Sequence, residues 1–304
     1  MYLKGRKSST DPRLRSLLQK AVRRGAEQIV HLTILKLMAN GDKSWLRSRA
    51  VVITFEESWP LAQDLSIAKD LLSKETALLM VSRAKKQKDA AGLGALAFAF
   101  HEGDKSMLDI VPSRRSLILV SEAIKRPDTY FDWLFSQCTS EESKKVVKAA
   151  SRYLAAATWG WDKATILAGA YLAVSNEVPP ISASRLTESS FPYWIALDKH
   201  TPEGKKAFRS ISSQFGVPYR HLIWASFYYE SAIVNDLYTS VWFDCERNWR
   251  LRKAGMTETE AEKLWINIRS MICQELEEDA EKLRAQVECQ SDQIRKHHSE
   301  FDGF

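Results

Sequence analysis

Residues 11–25 read DPRLRSLLQKAVRRG and carry the signals of one complete amphipathic helix. Asp11 is a favoured N-cap residue, and Pro12 suits the first helical position. Leucine, alanine and valine then recur at helical spacing until Gly25, with arginines on the opposite face. Similar segments recur along the chain, whose 304 residues include only 12 glycines and 9 prolines, too few for the many turns of an all-β protein. We therefore predict an all-α fold, a multi-helix globular bundle.

Two short runs have patterns that allow more than one interpretation. Residues 50–55, AVVITF, contain enough β-branched side chains for a strand, but helix signals on both sides favour a buried helix. Gly92-Leu93-Gly94 is the nearest approach to a glycine-rich nucleotide loop, but in an alanine-rich run it favours close helix packing. The chain has no Walker A sequence and no GxGxxG motif after a strand, so we do not expect it to hydrolyse ATP by itself.

Capping residues predict where several helices begin. The pairs Thr139–Glu142 and Thr257–Glu260 have the spacing of capping boxes, in which each side chain bonds the backbone of the other residue. Asp162 is predicted to cap the helix that follows it.

The chain is predicted to have two helical parts. Residues 179–192 are rich in serine and proline and poor in apolar residues, which is typical of a loop or linker. This boundary gives a helical domain at 1–178 and a second helical subdomain at 193–304. From Thr257 almost to the end there is no proline or glycine, which predicts a long, acidic C-terminal helix. We expect its first half to pack on the body, and the half beyond Asp279 to project or to pair with another chain.

The formal net charge of +6 is distributed unevenly. Residues 1–24 hold eight Lys and Arg and one Asp, whereas residues 257–304 hold twelve Asp and Glu and six Lys and Arg. This asymmetry favours a nucleic-acid surface with an acidic tail or partner helix, and the alternative is a solvated face. Three clusters of cations are predicted to contact DNA. They are Arg13, Arg15, Lys20, Arg23 and Arg24; Arg83, Lys85, Lys86 and Lys88; and Lys144, Lys145 and Lys148.

Several classes of protein are not indicated. The four cysteines lie far apart, with no C-x-x-C pair and no histidine at ligand spacing, so neither a zinc site nor a disulfide framework is predicted. We expect no metal and no cofactor. No apolar run reaches the length of a membrane span, and the basic N-terminus does not lead into the apolar stretch of a signal peptide. We therefore expect a cytoplasmic protein with reduced thiols and no membrane partner.

Two acidic clusters indicate an alternative function, that of a helical hydrolase or nuclease. Asp198 could orient His200 as a general base, and Glu56–Glu57 could supply a pair of carboxylates for acid–base work. This alternative requires the four side chains to converge in one cleft.

Both clusters also have structural explanations. Thr201, Pro202 and Glu203 form a favourable helix start, with an N-cap, a proline at the first position and an acid in the first turn. The pair Glu56–Glu57 lies near Arg47 and Arg49 in sequence, which favours an ion-pair network over catalysis.

The N-terminal third contains an ordered series of motifs. They are LLQKAVRRG at 17–25, a helix, GD at 41–42, WL at 45–46 and RAVVITFEE at 49–57. Together they resemble the helical C-terminal, or collar, region of the RarA/MgsA clamp-loader-like AAA+ ATPases. In that family a helix similar to the first motif opens the collar domain, and an arginine, a short apolar run and an acidic pair come next.

The resemblance covers about residues 15–65. It departs from the family at Trp59-Pro60, where the family has a glycine, and the sequence contains no ATPase module. It implies that residues 1–178 form a collar-like domain, which in that family oligomerises and holds ATPase modules in a ring on DNA. We therefore predict a non-enzymatic DNA replication or repair accessory protein, a class that includes phage and plasmid proteins. We expect a homo-oligomer that contacts DNA, an AAA+ ATPase or another replication protein.

Overall fold

The computed structural model describes residues 11–65, 71–176, 178–185, 190–234 and 236–301, except for the side chains of 71–72 and 290–301. The helices, in chain order, are α1 (Pro12–Arg24), α2 (Glu27–Ala39), α3 (Lys43–Ser58), α4 (Ala62–Leu65), α5 (Leu71–Arg83), α6 (Asp89–His101), α7 (Arg114–Ala123), α8 (Pro127–Gln137), α9 (Glu141–Tyr153), α10 (Gly160–Ser175), α11 (Pro202–Phe215), α12 (Tyr219–Ser226), α13 (Val241–Ala254) and α14 (Glu258–Phe301). The predicted all-α bundle with a long C-terminal helix is confirmed. None of the described helices combines the length and the apolar character of a membrane span.

Two hydrophobic clusters form the core. The first joins α1 and α2 to α11, α12 and α14, and the second is formed by α6 to α10 with two tryptophans of α13. Helix α3, which contains the run 50–55, is buried against both clusters, so the prediction of a buried helix there is confirmed. Both clusters take residues from before and after the predicted linker at 179–192. Each hydrophobic cluster therefore contains residues from both predicted parts of the chain.

Helix α6 packs backbone against backbone with two neighbouring helices. A Cβ atom placed on Gly92 would lie 2.3 Å from the backbone nitrogen of Phe243 in α13. A Cβ atom placed on Gly94 would lie 2.6 Å from the backbone of Thr165 in α10. Any larger residue would push these helices apart. The predicted packing role of the Gly92-Leu93-Gly94 run is thus confirmed.

The described residues of the predicted linker are not helical, and they are bound to the body of the molecule. The amide of Lys85 donates to the carbonyl of Ser182 at 2.9 Å, and the amide of Ser184 donates to the carbonyl of Arg83 at 2.7 Å. Residues 186–189 of this stretch lie outside the described part of the chain.

Capping residues in the sequence predicted where some of the helices begin, with errors of one or a few residues. The Thr257–Glu260 capping box is confirmed, because the Thr257 amide donates to Glu260 at 2.7 Å and the Glu260 amide donates to Thr257 at 3.2 Å. The prediction for Thr139 was wrong by one residue, since the hydroxyl of Ser140 caps α9. The prediction for Asp162 was also wrong, because α10 begins at Gly160 and places Asp162 in its first turn.

One face of helix α14 packs on the body from Ala261 to Val287. Leu283 and Val287 are fully buried, and Tyr193 donates a hydrogen bond from its hydroxyl to Glu288 at 3.3 Å. The prediction that the half beyond Asp279 projects was therefore wrong as far as Val287, and pairing with another chain stays a prediction. Apolar residues at every third or fourth position were enough to continue the buried face, although acidic residues surround them.

This packing predicts a large effect of shortening a side chain late in α14. Leu283→Ala should lower the free energy of unfolding by about 2–5 kcal/mol, because it removes a fully buried side chain and leaves a cavity. The matched control on the same helix is Ile266→Ala, which alters a side chain that is 69% exposed. That change should cost less than about 0.5 kcal/mol. Urea unfolding followed by circular dichroism measures both, and equal small effects would contradict the packing of this half of α14.

Candidate functional site

The cations of α1 do not all face solvent. Lys20, Arg23 and Arg24 are 3%, 4% and 7% exposed. All three point into the molecule beside the leucines of the same helix, because carboxylates from other segments lie beneath α1. A buried charge is tolerated only when it is paired and hydrogen-bonded, so the partners of these cations define the centre of the fold.

Glu57 of α3 is the acceptor for two of the buried cations. The Nε of Arg23 donates to its Oε1 at 2.7 Å, and the Nζ of Lys88 donates to its Oε2 at 2.9 Å. Burial by itself would raise the pKa of Glu57, but the charges of Arg23 and Lys88 outweigh that effect and lower it to about 2. Arg23 also donates to the carbonyl of Ser231 at 2.6 Å. This network holds α1, α3 and the segment before α6 together.

A second buried pair joins α1 to the segment before α11. The Nζ of Lys20 donates to the carboxylate of Asp198 and, at 2.7 Å, to the hydroxyl of Ser16. The Nδ1 of His200 lies 3.0 Å from Asp198 Oδ1. Burial by itself would raise the pKa of Asp198, but Lys20 and His200 hold it well below its usual range.

A third pair joins α1 to α14 through the π-helical turn Phe227–Ser231. Arg24 donates to Glu230 Oε1 at 3.1 Å, and Arg269 of α14 donates to Glu230 Oε2 at 2.6 Å. The indole of Trp265 donates to the same carboxylate at 3.1 Å. Three donors from two helices therefore satisfy one buried carboxylate.

The buried ammonium group of Lys86 donates hydrogen bonds to backbone carbonyls rather than to a carboxylate. Its Nζ donates to the carbonyls of Val81, Ser82 and Ala84 at 2.6, 3.0 and 2.8 Å. Burial lowers the pKa of Lys86 to about 8. Its ammonium thus caps the C-terminal carbonyls of α5.

The prediction of DNA contact was therefore wrong for the residues that are buried and paired inside the fold, namely Lys20, Arg23, Arg24, Lys86 and Lys88. A phosphate could reach them only after the carboxylates and carbonyls that now hold them were displaced. Sequence composition could not show this, because the partners are up to 208 residues away.

Four other predicted cations lie nearer the surface but each has a carboxylate partner. Arg13 pairs with Asp11, Arg15 with Asp42, Arg83 with Glu27 and Lys85 with Asp236. Their positive charge is therefore locally balanced.

The cations of α9 are the exception among the predicted clusters. Lys144, Lys145 and Lys148 are exposed, opposite a face of α9 that is buried in the core. Lys144 pairs with Glu141 at 2.8 Å. Within the described part of the chain, Lys145 and Lys148 form no ion pair, although the charge of Lys145 interacts with that of Asp64 in α4. Nothing in the structure contradicts DNA contact at this helix.

The residues of the hydrolase alternative are brought together only in part. Asp198 and His200 are in contact, and the side chain of His200 is 63% exposed. Glu57 is only 1% exposed, between its two cations, and its low pKa makes it a weak base. In the described residues no group of three or more His, Cys, Asp and Glu could hold a metal ion. The four side chains therefore do not line one open cleft.

The structural explanations of these residues are confirmed. Thr201 caps α11, since its hydroxyl accepts a hydrogen bond from the amide of Gly204 at 3.1 Å. Glu56 forms ion pairs with Arg23 and Arg49, both at 3.2 Å. Arg47, the other arginine expected near the acidic pair, instead lies near Lys74 of α5.

A shallow cleft lies between α7, α8 and α10. Its volume is about 220 Å³, and Arg115, Trp133 and Tyr171 are among the residues that line it. None of the predicted site residues borders this cleft.

Comparisons with protein-family models, with curated proteins and with solved structures found no match for the chain. The resemblance to the collar region of the RarA/MgsA ATPases stays a prediction that rests on the motifs alone.

The Glu57 network predicts a large loss of stability when its carboxylate is neutralised. Glu57→Gln should lower the free energy of unfolding by about 3–5 kcal/mol, because it leaves Arg23 and Lys88 buried without a counter-charge. The folded pKa of Glu57, about 2, lies below its ordinary value of 4.5. Its contribution is therefore complete above about pH 4.5 and is lost as the pH falls toward 2.

Urea unfolding between pH 2 and 7 measures both effects. The variant should show a weaker decline in stability between pH 4.5 and 2 than the wild type. The control is Glu141→Gln, which neutralises an exposed partner of Lys144 and should leave stability nearly unchanged. An equal acid decline in Glu57→Gln and wild type would show that Glu57 is not held in this way.

Proposed function

We propose that the chain is a non-enzymatic accessory protein of DNA replication or repair, and that it binds the phosphate backbone through the exposed face of α9. The observation that carries this proposal is the exposure of Lys144, Lys145 and Lys148 on one helix. Arg152, also exposed, lies one turn beyond Lys148. The four cations extend over about 12 Å of helix, at about 1.5 Å per residue. DNA carries one charge per about 1.7 Å of its axis, so this length faces several phosphates.

Other exposed cations are less suitable. Helix α11 carries the exposed residues Lys205, Lys206 and Arg209. Lys206, however, lies near Glu278 of the acidic helix α14, and the two charges interact. Because α14 supplies negative charge next to α11, the positive potential there is weakened.

The rest of the proposal rests on the resemblance to the collar region. A collar-like domain would act by forming a homo-oligomer and by contacting an AAA+ ATPase or another replication protein, in the cytoplasm. The buried ion pairs support a structural role for this region, because they hold α1 and α3, the two helices that carry the motifs, in a fixed relation.

The second candidate is a hydrolase or nuclease, and the contact between Asp198 and His200 is the observation that favours it. This candidate expects the wild type to hydrolyse DNA or a model ester, and His200→Ala to abolish the activity. The side chain of His200 is 63% exposed, and Asp198 keeps its ion pair with Lys20, so the variant should remain folded. No hydrolysis by the wild type over a range of divalent metals and pH values would reject this candidate.

The DNA proposal predicts the effect of reversing charge on α9. The wild type should bind labelled single- or double-stranded DNA with an affinity that falls steeply as salt increases. Lys145→Glu/Lys148→Glu should weaken binding by about tenfold or more and reduce the slope of log K against log salt by about 2. Fluorescence anisotropy at several ionic strengths measures both quantities.

The matched control is Lys205→Glu/Lys206→Glu, which makes the same charge change on an exposed face of α11. It should weaken binding much less than the α9 variant. An equal loss in the two variants would assign the effect to net charge rather than to α9. Lack of binding by the wild type at low salt would reject direct contact with DNA.

A further inference from the structure

The cleft between α7, α8 and α10 combines a cation, an aromatic ring and apolar walls. Arg115 of α7 and Trp133 and Gln137 of α8 line it, and Leu119 and Val174 supply apolar surface. None of the described residues that line the cleft is acidic. Its volume of about 220 Å³ is smaller than the roughly 300–1,000 Å³ of sites for drug-sized ligands. The cleft therefore suits a single flat ring, and its charge favours a ligand that carries an anion.

Trp133 presents its ring to solvent at this cleft. All ten tryptophans lie in the described part of the chain, and of these only Trp133 and Trp159 are exposed, at 37% and 71%. The buried Tyr130 lies against the indole of Trp133, with 5.9 Å between the ring centres, and supports it in place. An exposed aromatic ring that its neighbours hold in position is a platform on which a nucleobase can stack.

Arg115 brings a positive charge to the same cleft. The residue is exposed, and within the described part of the chain it forms no ion pair. A guanidinium group binds a phosphate group through parallel hydrogen bonds, and it does so more specifically than an ammonium group. The aromatic ring and the guanidinium group are therefore the two partners that one nucleotide needs, one for its base and one for its phosphate.

The cleft lies next to the N-terminal end of α9. Gln137 is the last residue of α8, and Cys138 follows it directly. Burial raises the pKa of the Cys138 thiol, and the charge of Lys144 opposes that rise, so Lys144 lies near Cys138. A nucleic-acid strand whose phosphates contact the lysines of α9 would therefore pass close to the cleft.

We propose that the cleft binds an unstacked nucleobase, whose ring stacks on Trp133 and whose neighbouring phosphate contacts Arg115. The bases of a duplex are already paired and stacked, and flipping one of them out costs free energy. The protein should therefore prefer single-stranded to double-stranded nucleic acid. For a base within a strand, this inference rests on the proposed function and specifies its substrate class; for a free nucleotide it does not.

The preference is tested with one labelled DNA strand, alone and annealed with its complement. In fluorescence anisotropy the wild type should bind the single strand more tightly. Trp133→Ala should weaken single-strand binding about fivefold or more and leave duplex binding unchanged. Trp133→Phe should recover part of the loss, because phenylalanine keeps a ring. The matched control is Trp159→Ala, which removes a more exposed indole outside the cleft and should leave both affinities unchanged.

The salt dependence separates stacking from phosphate contact. Arg115→Gln alters an exposed residue, so the variant should remain folded. It should weaken single-strand binding and reduce the slope of log K against log salt by about 0.7. Trp133→Ala should leave that slope unchanged, because a stacked base releases no counterion. The α9 variant Lys145→Glu/Lys148→Glu, by contrast, should weaken binding to both forms of DNA.

The outcomes distinguish this inference from the proposed function. Equal affinity of the wild type for the two DNA forms, or single-strand binding that neither Trp133→Ala nor Arg115→Gln weakens, would overturn the inference and leave the proposal for α9 standing. An equal loss in Trp133→Ala and Trp159→Ala would also overturn it.

If the wild type binds neither form of DNA, the proposed function fails, and thymidine monophosphate tests the cleft by itself. Saturable quenching of the intrinsic tryptophan fluorescence that is weaker in Arg115→Gln and unchanged in Trp159→Ala would assign the cleft to a free nucleotide. No quenching, or quenching that Arg115→Gln leaves unchanged, would overturn the inference as well.

Discussion

The carboxylate of Glu57 lies between the guanidinium of Arg23 and the ammonium of Lys88, and the rest of the structure depends on this contact. All three groups are almost completely buried. A charge in that environment costs several kcal/mol unless its partner is in place. Helices α1 and α3 and the segment before α6 must therefore be positioned together. The pairs of Lys20 with Asp198 and of Arg24 with Glu230 then connect α1 to the C-terminal half.

Because of this network, the distribution of cations along the sequence differs from their distribution on the surface. The most basic stretch of the sequence holds cations that stabilise the fold, whereas α9 presents three lysines to solvent. The fold and the proposed binding surface therefore use separate sets of cations.

Most of the helices could be predicted from the sequence, since capping and periodicity act over three or four residues. The Thr257–Glu260 box and the Thr201 cap are confirmed for that reason. The cap of α9 shows the limit of predicting a helix start to the exact residue. Thr139 and Ser140 are both able to cap a helix, and Ser140 does so. The end of α14 shows a second limit of prediction from the sequence. Apolar residues such as Val287 are sparse there, and whether they are buried depends on the surface that faces them.

The candidate site was predicted only at α9, where exposure follows from the helical pattern alone. The sequence by itself determined the helical class, most of the predicted helix starts and the cluster of lysines on α9. Only the tertiary structure decided which cations are buried. Arg23 and Glu57 are 34 residues apart, and Lys20 and Asp198 are 178 apart. The physical reason is that an ion pair depends on groups that meet only when distant segments pack together, whereas a helix depends on its neighbours along the chain.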